Sequence, residues 1–311
     1  MKTVVLDGHA VNPGDLSWDW LADAGEYKVY NQTLREEIIE RAIDADHIIT
    51  NKVVFDKEIF DKLPKLRYIG LTATGFNIID TEYAAQKGVV VTNVPAYSTE
   101  SVAQHTFALM LELMTHPALH SESVKAGKWA SNDYFCYWLT PQIELSGKTL
   151  GIIGGGQIGM KVAEIAKVFG MKTLIWGKTM KPGRSTLDEV LKESDIISIH
   201  CPMNNDTDKL ICADTIEKMR DGVYIINTAR GGIINENDLA QALKSGKVAG
   251  FAADVISSEP PENTNPLILA PNTIITPHLA WATLEARSRL MNGVRDNLLG
   301  FIHGNILNKV N

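Results

Sequence analysis

A glycine-rich turn between a strand and a helix constrains the fold of this chain more than any other feature. The apolar run Thr149–Ile153 predicts a buried strand, and it continues directly into residues 154–159, which have the pattern G-x-G-x-x-G. Apolar residues at helical spacing over residues 158–169 predict that a helix follows the turn. A strand, such a turn and a helix in this order are typical of dinucleotide-binding folds.

Each glycine of the turn has a separate expected role. Gly154 permits the tight turn, Gly156 lets the backbone approach a pyrophosphate, and Gly159 lets the helix pack close to the strand. Gln157 and Ile158 open the helix, whose N–H groups and positive dipole end would face the phosphates. The alternative interpretation is a glycine-rich turn that binds no ligand.

Short apolar runs alternate with amphipathic helical stretches along the chain, which predicts parallel sheets with helices on both faces. The predicted strands of a first series are residues 3–6, 27–30, 47–50, 68–71 and 89–92, with helices such as 34–42 and 80–86 between them. A second series comprises residues 149–153, 173–176, 195–200, 223–227, 248–254 and 273–276. We therefore expect two doubly wound α/β domains. A final helix over residues 284–302 would return to the first domain and make it discontinuous.

Between the two series lies a long segment with helical spacing, residues 101–125. It carries few charges for its length, so we expect burial over more than one face. The pattern leaves two interpretations open: a core helix, or a helix that also meets a second subunit.

The length and composition exclude several classes of protein. The chain has 311 residues, 45% of them hydrophobic and 22% charged, with a net charge of −7, which is typical of a globular chain of about two domains. The acidic balance argues against nucleic acid as a partner. We expect no membrane span, no signal peptide and a cytoplasmic location. Three scattered cysteines predict neither disulfides nor a metal site.

The end of the second strand of the second series bears on the choice of cofactor. NAD-specific sites usually place an acidic residue there, but the strand ends at Gly177 and no carboxylate follows before Asp188. The loop instead contains Lys178, Thr179, Lys181 and Arg184. Cations without an acid favour a 2′-phosphate, so we expect NADP(H) rather than NAD(H). The alternative is a solvated basic loop with NAD(H) bound without its usual acid.

Three ionisable residues follow three late strands: Arg230, Glu259 and His278. Ligands of open α/β sheets bind outside the carboxyl ends of the strands, so these side chains could converge on one cleft. Arg230 would hold a carboxylate and polarise the neighbouring carbonyl. His278 would exchange the hydroxyl proton, and Glu259 would orient it and raise its pKa.

The motifs at residues 154–159, 200–202, 227–232, 254–260, 265–267 and 277–278 together resemble those of the D-isomer-specific 2-hydroxyacid dehydrogenases, over nearly the whole chain. The resemblance implies hydride transfer at nicotinamide C4 and a catalytic trio formed by Arg230, Glu259 and His278. It implies a flavodoxin-like substrate domain (1–99 plus 285–311) into which a Rossmann-like NAD(P)-binding domain (100–284) is inserted. It also implies a cleft that closes on the ligand and a homodimer built on the coenzyme domains, which favours an interface role for residues 101–125.

The resemblance also implies further ligand contacts. Those expected for the cofactor come from Cys201, Pro202, Thr207, Thr228, Ala229, Asp254 and Ala280. Those expected for the substrate come from the backbone N–H groups of Ala73, Thr74 and Gly75, and from Trp138 and Trp281 as walls of the pocket.

Residues 73–75, 94–99, 102–105 and 133–138 are most similar to glycerate dehydrogenases, also called hydroxypyruvate or glyoxylate reductases. We therefore expect a small 2-keto or 2-hydroxy acid as substrate. A D-lactate-type dehydrogenase for another keto acid is the alternative enzyme. A dinucleotide-sensing regulator of the same fold is the non-enzymatic alternative, against which the intact trio argues. Glu259 argues against a formate dehydrogenase, which has an amide there.

Overall fold

The computed structural model describes residues 1–178 and 182–311. The strands are β1 (Lys2–Val5), β2 (Glu26–Val29), β3 (His47–Thr50), β4 (Tyr68–Leu71), β5 (Val90–Thr92), β6 (Thr149–Ile153), β7 (Lys172–Trp176), β8 (Ile196–Ile199), β9 (Val223–Asn227), β10 (Val248–Ala253) and β11 (Thr273–Ile275). The α-helices are α1 (Ile38–Ala42), α2 (Lys57–Asp61), α3 (Thr81–Gln86), α4 (Thr99–Thr115), α5 (Pro117–Lys125), α6 (Gln157–Val168), α7 (Leu187–Glu193), α8 (Ala213–Glu217), α9 (Glu236–Ser245) and α10 (Leu284–Ile302).

The chain divides into two compact units. The first comprises residues 1–98 and 282–311, and the second comprises residues 99–281. The boundaries expected from the sequence fall after residues 99 and 284.

The first unit is built on a five-stranded parallel sheet in the order β2-β1-β3-β4-β5. Every residue of β3 and β4 is buried, because these central strands are covered on both faces. Helix α10 belongs to this unit: Asn297 is 1% exposed, and its side-chain amide donates to the Asn93 carbonyl at 2.8 Å. The discontinuity of the first unit thus follows from the packing of its last helix.

The second unit contains a six-stranded parallel sheet in the order β11-β10-β9-β8-β6-β7. The chain runs from β6 outward to β7 and then returns to the other side of β6 to form β8. The order therefore reverses between β6 and β8, and ligands of open α/β sheets bind at such a switch point. The glycine turn follows β6, so it lies at this position.

The expected single helix over residues 101–125 is wrong, because the structure contains two helices, α4 and α5. The break falls at His116, which has a left-handed backbone with φ 44° and ψ 49°. Pro117 clashes with a helical conformation of the residue before it, but it suits the first position of a new helix. Met110 and Met114 of α4 lie in the core of the second unit, as expected of a core helix.

In the part of the chain that the structure describes, no helix is both long and apolar enough to cross a membrane.

Candidate active site

The glycine turn after β6 needs glycine for different reasons at different positions. Gly154 has a φ of 115°, and a Cβ there would collide with the backbone of His200 and Cys201. A Cβ at Gly159 would collide with the Gly154 carbonyl oxygen. Gly156, by contrast, has open space where its Cβ would be. The turn thus packs tightly against the sheet on one side and leaves room for a ligand at Gly156.

Helix α6 begins directly after Gly156, which is its N-cap. The first N–H groups of a helix have no partner within it, and those of Gln157, Ile158 and Gly159 donate to no acceptor among the described residues. Free N–H groups, a positive helix end and the open space at Gly156 suit a pyrophosphate. The residues present therefore fit a dinucleotide.

The loop after β7 differs in one respect from what the sequence led us to expect. Lys178 is exposed and forms an ion pair of 2.7 Å with Asp206, from the segment that follows β8. The expectation of cations without a nearby anion is therefore wrong at Lys178, because folding brings in an acid that lies 28 residues further along the chain. Of the other expected contacts in this loop, Thr179 and Lys181 lie outside the described residues.

Arg184 lies directly against the glycine turn. One terminal guanidinium nitrogen, NH2, donates to the Gly155 carbonyl at 2.8 Å. The other, NH1, is buried and has no hydrogen-bond partner among the described residues. A Cβ at Gly155 would collide with this guanidinium, so the absence of a side chain at that position makes room for Arg184. Buried unpaired donors are costly, so NH1 is suited to an anionic ligand.

The segment after β8 carries three of the expected cofactor contacts. Thr207 is 4% exposed, and its hydroxyl donates to the Pro202 carbonyl at 2.7 Å, which closes the loop. Cys201 is buried, and burial raises the pKa of its thiol to about 11, so it packs as a neutral side chain. Burial also lowers the pKa of the neighbouring His200 to about 3. Within the described residues, no three His, Cys, Asp or Glu side chains are gathered as metal ligands.

His278 and Glu259 form a close pair at the carboxyl end of the sheet. His278 Nδ1 lies 2.5 Å from Glu259 Oε2, and both side chains are about one-third exposed. His278 Nε2 has no hydrogen-bond partner in the described part of the chain. His278 itself has a φ of 55°, in the left-handed region that residues other than glycine seldom adopt.

Asp254 holds the turn that carries His278. Its side chain is 1% exposed, and its carboxylate accepts hydrogen bonds from the backbone N–H groups of Leu279 and Ala280 and from the Thr276 hydroxyl. Its backbone carbonyl accepts from the N–H of His278 at 2.9 Å. Asp254 therefore fixes the backbone on both sides of the imidazole.

Arg230 lies in a turn after β9, and hydrogen bonds from side chains of the turn itself stabilise it. Asn227 donates to the Arg230 carbonyl at 2.9 Å and accepts from the N–H of Ala229 at 3.0 Å, and Thr228 forms a hydroxyl contact of 3.0 Å with Thr106. The Arg230 side chain is exposed, and one of its nitrogens donates to the Ala229 carbonyl at 2.7 Å. Since β9, β10 and β11 are adjacent, Arg230, Glu259 and His278 follow neighbouring strand ends.

Helix α4 contributes residues that the sequence analysis missed. Ser101 donates to the Ala280 carbonyl at 2.5 Å, and His105 Nε2 lies 2.9 Å from the Thr276 hydroxyl. His105 Nε2 also lies 3.5 Å from Asp254 Oδ1. These residues stand in an apolar helix remote in sequence from the trio, so no local signal linked them to it.

In the first unit, the expected substrate loop leaves backbone donors free. The Ala73 carbonyl accepts from the N–H of Val94, and the Thr74 hydroxyl donates to the Val94 carbonyl at 2.9 Å. Among the described residues, the N–H groups of Ala73, Thr74 and Gly75 donate to no acceptor. The loop is therefore held by its carbonyls and side chains and presents N–H groups that could bind an anion.

The two tryptophans expected in the pocket wall differ in environment. Trp281 lies three residues after His278, and its indole N–H donates to the His278 carbonyl at 2.9 Å. Trp138 lies in the segment after α5 and is 69% exposed.

Comparison with known proteins places the chain in a family. The model of the D-isomer specific 2-hydroxyacid dehydrogenase NAD binding domain matches residues 107–280. A hydroxypyruvate reductase of Blautia hydrogenotrophica is 46% identical over the full length of both chains. A glycerate dehydrogenase of Methylorubrum extorquens is 38% identical over 92% of each chain. Among solved structures, an acyclic imino acid reductase in complex with NADPH and D-arginine superimposes with a TM-score of 0.87, at 30% identity over the whole of both chains.

The matched domain, the full-length relatives and the two parallel-sheet units agree with the family that the sequence motifs resemble. A nicotinamide dinucleotide is the cofactor of the matched domain, and the glycine turn after β6 fits it. The chain therefore belongs to the D-isomer-specific 2-hydroxyacid dehydrogenase family and is an oxidoreductase that acts on the CH–OH group of its donors.

Proposed function

We propose that the protein reduces a small 2-keto acid, hydroxypyruvate or glyoxylate, to the D-2-hydroxy acid and favours NADPH over NADH. The observation that carries the proposal is the His278–Glu259 pair, with Nδ1 and Oε2 2.5 Å apart and Nε2 left without a hydrogen-bond partner among the described residues. Reduction of a carbonyl needs a proton donor, and an imidazolium held in this way presents its Nε2–H outward. The names of the full-length relatives support hydroxypyruvate or D-glycerate as the substrate pair.

The three residues of the trio have complementary roles. When bound, the cofactor supplies the hydride from nicotinamide C4. Arg230 binds the substrate carboxylate and polarises the carbonyl, because its exposed guanidinium keeps donors beyond the one that contacts Ala229. His278 gives the carbonyl oxygen its proton from Nε2. Glu259 accepts at Nδ1, which fixes the orientation of the ring.

Each unit holds its own set of proposed ligand contacts. We assign the substrate domain to the first unit, where the N–H groups of Ala73, Thr74 and Gly75 bind the carboxylate of the acid. In the second unit, the open space at Gly156 and the start of α6 hold the pyrophosphate. Asp254 orients the nicotinamide amide through lone pairs that its three protein donors leave free.

The preference for NADPH rests on the loop after β7. No acid stands at Gly177 to repel a 2′-phosphate, and Arg184 has a buried nitrogen that lacks a hydrogen-bond partner in the described part of the chain. Lys178 is a second cation, although a 2′-phosphate would compete with Asp206 for it. The missing acid and the two cations all favour NADPH. Lys178 contributes less than Arg184 because its ion pair with Asp206 is exposed.

We further propose that the protein acts as a homodimer. Tyr134, Phe135 and Trp138 of the second unit are 76%, 89% and 69% exposed, and clustered exposed aromatic side chains mark interfaces. A second copy that covers this segment would bury these three side chains, and Trp138 would then lie in the dimer interface.

Initial rates with NADPH and NADH, each crossed with hydroxypyruvate, glyoxylate, pyruvate and a bulky keto acid, test the function. We expect the largest kcat/KM with NADPH and hydroxypyruvate or glyoxylate. Turnover with NADH alone would contradict the cofactor preference and leave the substrate proposal intact. A higher kcat/KM for pyruvate or the bulky acid would contradict the substrate proposal.

A further inference from the structure

The loop that carries Glu259 is held at two points by one side chain outside the site. Glu236 is the first residue of α9, and its two carboxylate oxygens accept different hydrogen bonds. Oε1 accepts from the N–H of Ser257 at 2.8 Å, and Oε2 accepts from the side-chain amide of Asn265 at 2.8 Å. Ser257 precedes Glu259 and Asn265 follows it, so Glu236 spans the segment that contains the acid partner of His278.

The same loop also contacts the turn that carries Arg230. A Cβ at Gly231 would collide with the backbone of Ile256 and Ser257, so the two segments touch through their backbones. The N–H of Ile256 donates to Glu259 Oε1 at 3.1 Å, which leaves Oε2 for His278. The position of Glu259 therefore depends on the conformation of this loop. Glu236 stabilises that conformation through its two hydrogen bonds.

We propose that Glu236 is a positioning residue for the reaction, which holds Glu259 in register with His278 through its bonds to Ser257 and Asn265. The inference deepens the proposed function and rests on the acid–base role assigned there to His278 and Glu259. An acid in the first turn of a helix also stabilises the helix by its charge. Asp238 stands in the same first turn but accepts from the N–H of Ala213, away from the loop, so it provides a matched control.

The polarity of the two bonds makes the inference testable. A carboxylate only accepts, whereas the amide of Glu236→Gln has one accepting oxygen and one donating nitrogen. The new NH₂ group would therefore face either the Ser257 N–H or the Asn265 amide, donor against donor. Asn265 is not free to turn its amide over, because its Oδ1 accepts from the N–H of Leu267 at 2.9 Å.

A second substitution is expected to restore the arrangement. In the double variant Glu236→Gln with Asn265→Asp, the introduced amide oxygen accepts from Ser257 and the introduced amide nitrogen donates to the new carboxylate at position 265. That carboxylate still accepts from the Leu267 N–H. The charge of the pair is unchanged, and only the direction of one hydrogen bond is reversed.

The experiment compares kcat, the KM for the keto acid and the Kd for the reduced cofactor in the full-length wild type and variants. We expect Glu236→Gln to lower kcat roughly 10- to 100-fold, as the loss of a supporting contact does, with the Kd for the cofactor unchanged. Asp238→Asn should leave kcat near the wild-type value. The double variant should recover most of the lost kcat, which a simple loss of helix charge would not allow.

Three results would overturn the inference. These are a wild-type kcat in Glu236→Gln, an equal loss in Asp238→Asn, and a double variant that is folded, by its melting curve, yet no better than the single one. If Glu236→Gln does not fold, Asn265→Ala removes one of the two bonds and should also lower kcat. Glu259→Gln separates the two proposals. A wild-type kcat in Glu259→Gln contradicts the proposed acid–base pair. A reduced kcat in Glu259→Gln together with a wild-type kcat in Glu236→Gln contradicts only the positioning role.

Discussion

The guanidinium of Arg184 occupies the space beside Gly155 where a side chain would stand, and it donates to the Gly155 carbonyl at 2.8 Å. Gly155 is the second residue of the glycine turn and has no positive φ, so the backbone alone does not require glycine there. The contact with Arg184 does. A residue from the loop after β7 is thereby fixed at the phosphate-binding turn.

Gly155→Ala should therefore change the choice of cofactor. The added methyl group collides with the guanidinium and displaces Arg184 from the turn, which removes a charged hydrogen bond to the 2′-phosphate. We expect kcat/KM with NADPH to fall roughly 10- to 100-fold relative to NADH, the effect of about 1.5–3 kcal/mol. Arg184→Met should give the same change in the NADPH-to-NADH ratio. An unchanged ratio in both variants would remove Arg184 from the 2′-phosphate site.

Asp206→Asn should act in the opposite direction. The substitution removes the negative charge that pairs with Lys178 at 2.7 Å and would repel a 2′-phosphate. Because both side chains are exposed, we expect the NADPH-to-NADH ratio of kcat/KM to rise only a few-fold, and less at high ionic strength. Asp208→Asn, in the same exposed loop, is the control. The idea fails if Asp206→Asn lowers the ratio or if both variants raise it equally.

Substitutions of the acid–base pair should separate two roles. His278→Gln removes the proton donor and should lower kcat about 10²- to 10⁴-fold. Glu259→Gln keeps the proton donor but replaces the carboxylate at Nδ1 by an amide, so the ring is held less firmly and kcat should fall less, roughly 10- to 100-fold. Initial rates at saturating keto acid and cofactor measure both losses. His303→Gln, an exposed histidine after α10, should match the wild type.

The exposed aromatic segment after α5 gives a prediction about assembly. If a second copy covers it, Phe135→Ser should weaken the dimer, because a side chain that is 89% exposed in the single chain is then buried. Sedimentation velocity over a range of concentrations should show a shift toward monomer. Leu34→Ser, which removes an exposed apolar side chain from the first unit, should leave assembly unchanged. A wild type that is monomeric at all concentrations would contradict the proposal directly.

Much of the fold could be predicted because the central strands of parallel sheets are continuous apolar runs. Val223–Asn227 and Thr149–Ile153 have the bounds expected from sequence, since each run is flanked by polar or glycine residues. The break at His116 was missed because apolar residues keep helical spacing across it. Pro117 was the available signal, but a proline also fits within the first turn of a helix, so spacing alone did not decide.

The sequence could not predict contacts between residues distant in the chain. Lys178 looked like a free cation because its partner, Asp206, comes from a different strand end. No sequence pattern singled out Glu236, and only the folded loop shows its bonds to Ser257 and Asn265. The end of a strand can be recognised from a local sequence pattern. The side chains that bond to the loop after it come from distant parts of the chain, and only the packing of the folded protein brings them there.

The buried histidine of β3 makes the stability of the first unit depend on pH. His47 is 1% exposed, its ring lies edge-on to Tyr68 and Phe301, and burial lowers its pKa from 6.5 to about 4. The unfolded chain therefore binds a proton at a pH where the folded chain does not. This stability is fully present above pH 6.5 and is lost as the pH falls toward about 4, below which the loss levels off.

Urea denaturation at pH 7 and pH 5 should measure this contribution. Between these values we expect the wild type to lose on the order of 1–2 kcal/mol through His47, in addition to what other groups contribute. His47→Gln removes the titrating ring, so its unfolding free energy should change less between pH 7 and pH 5, even if it is lower at pH 7 because the Thr3 hydroxyl loses its contact. His303→Gln, at an exposed histidine after α10, is the control and should keep the wild-type difference. Equal pH dependence in the wild type and His47→Gln would contradict the lowered pKa of His47 in the folded protein.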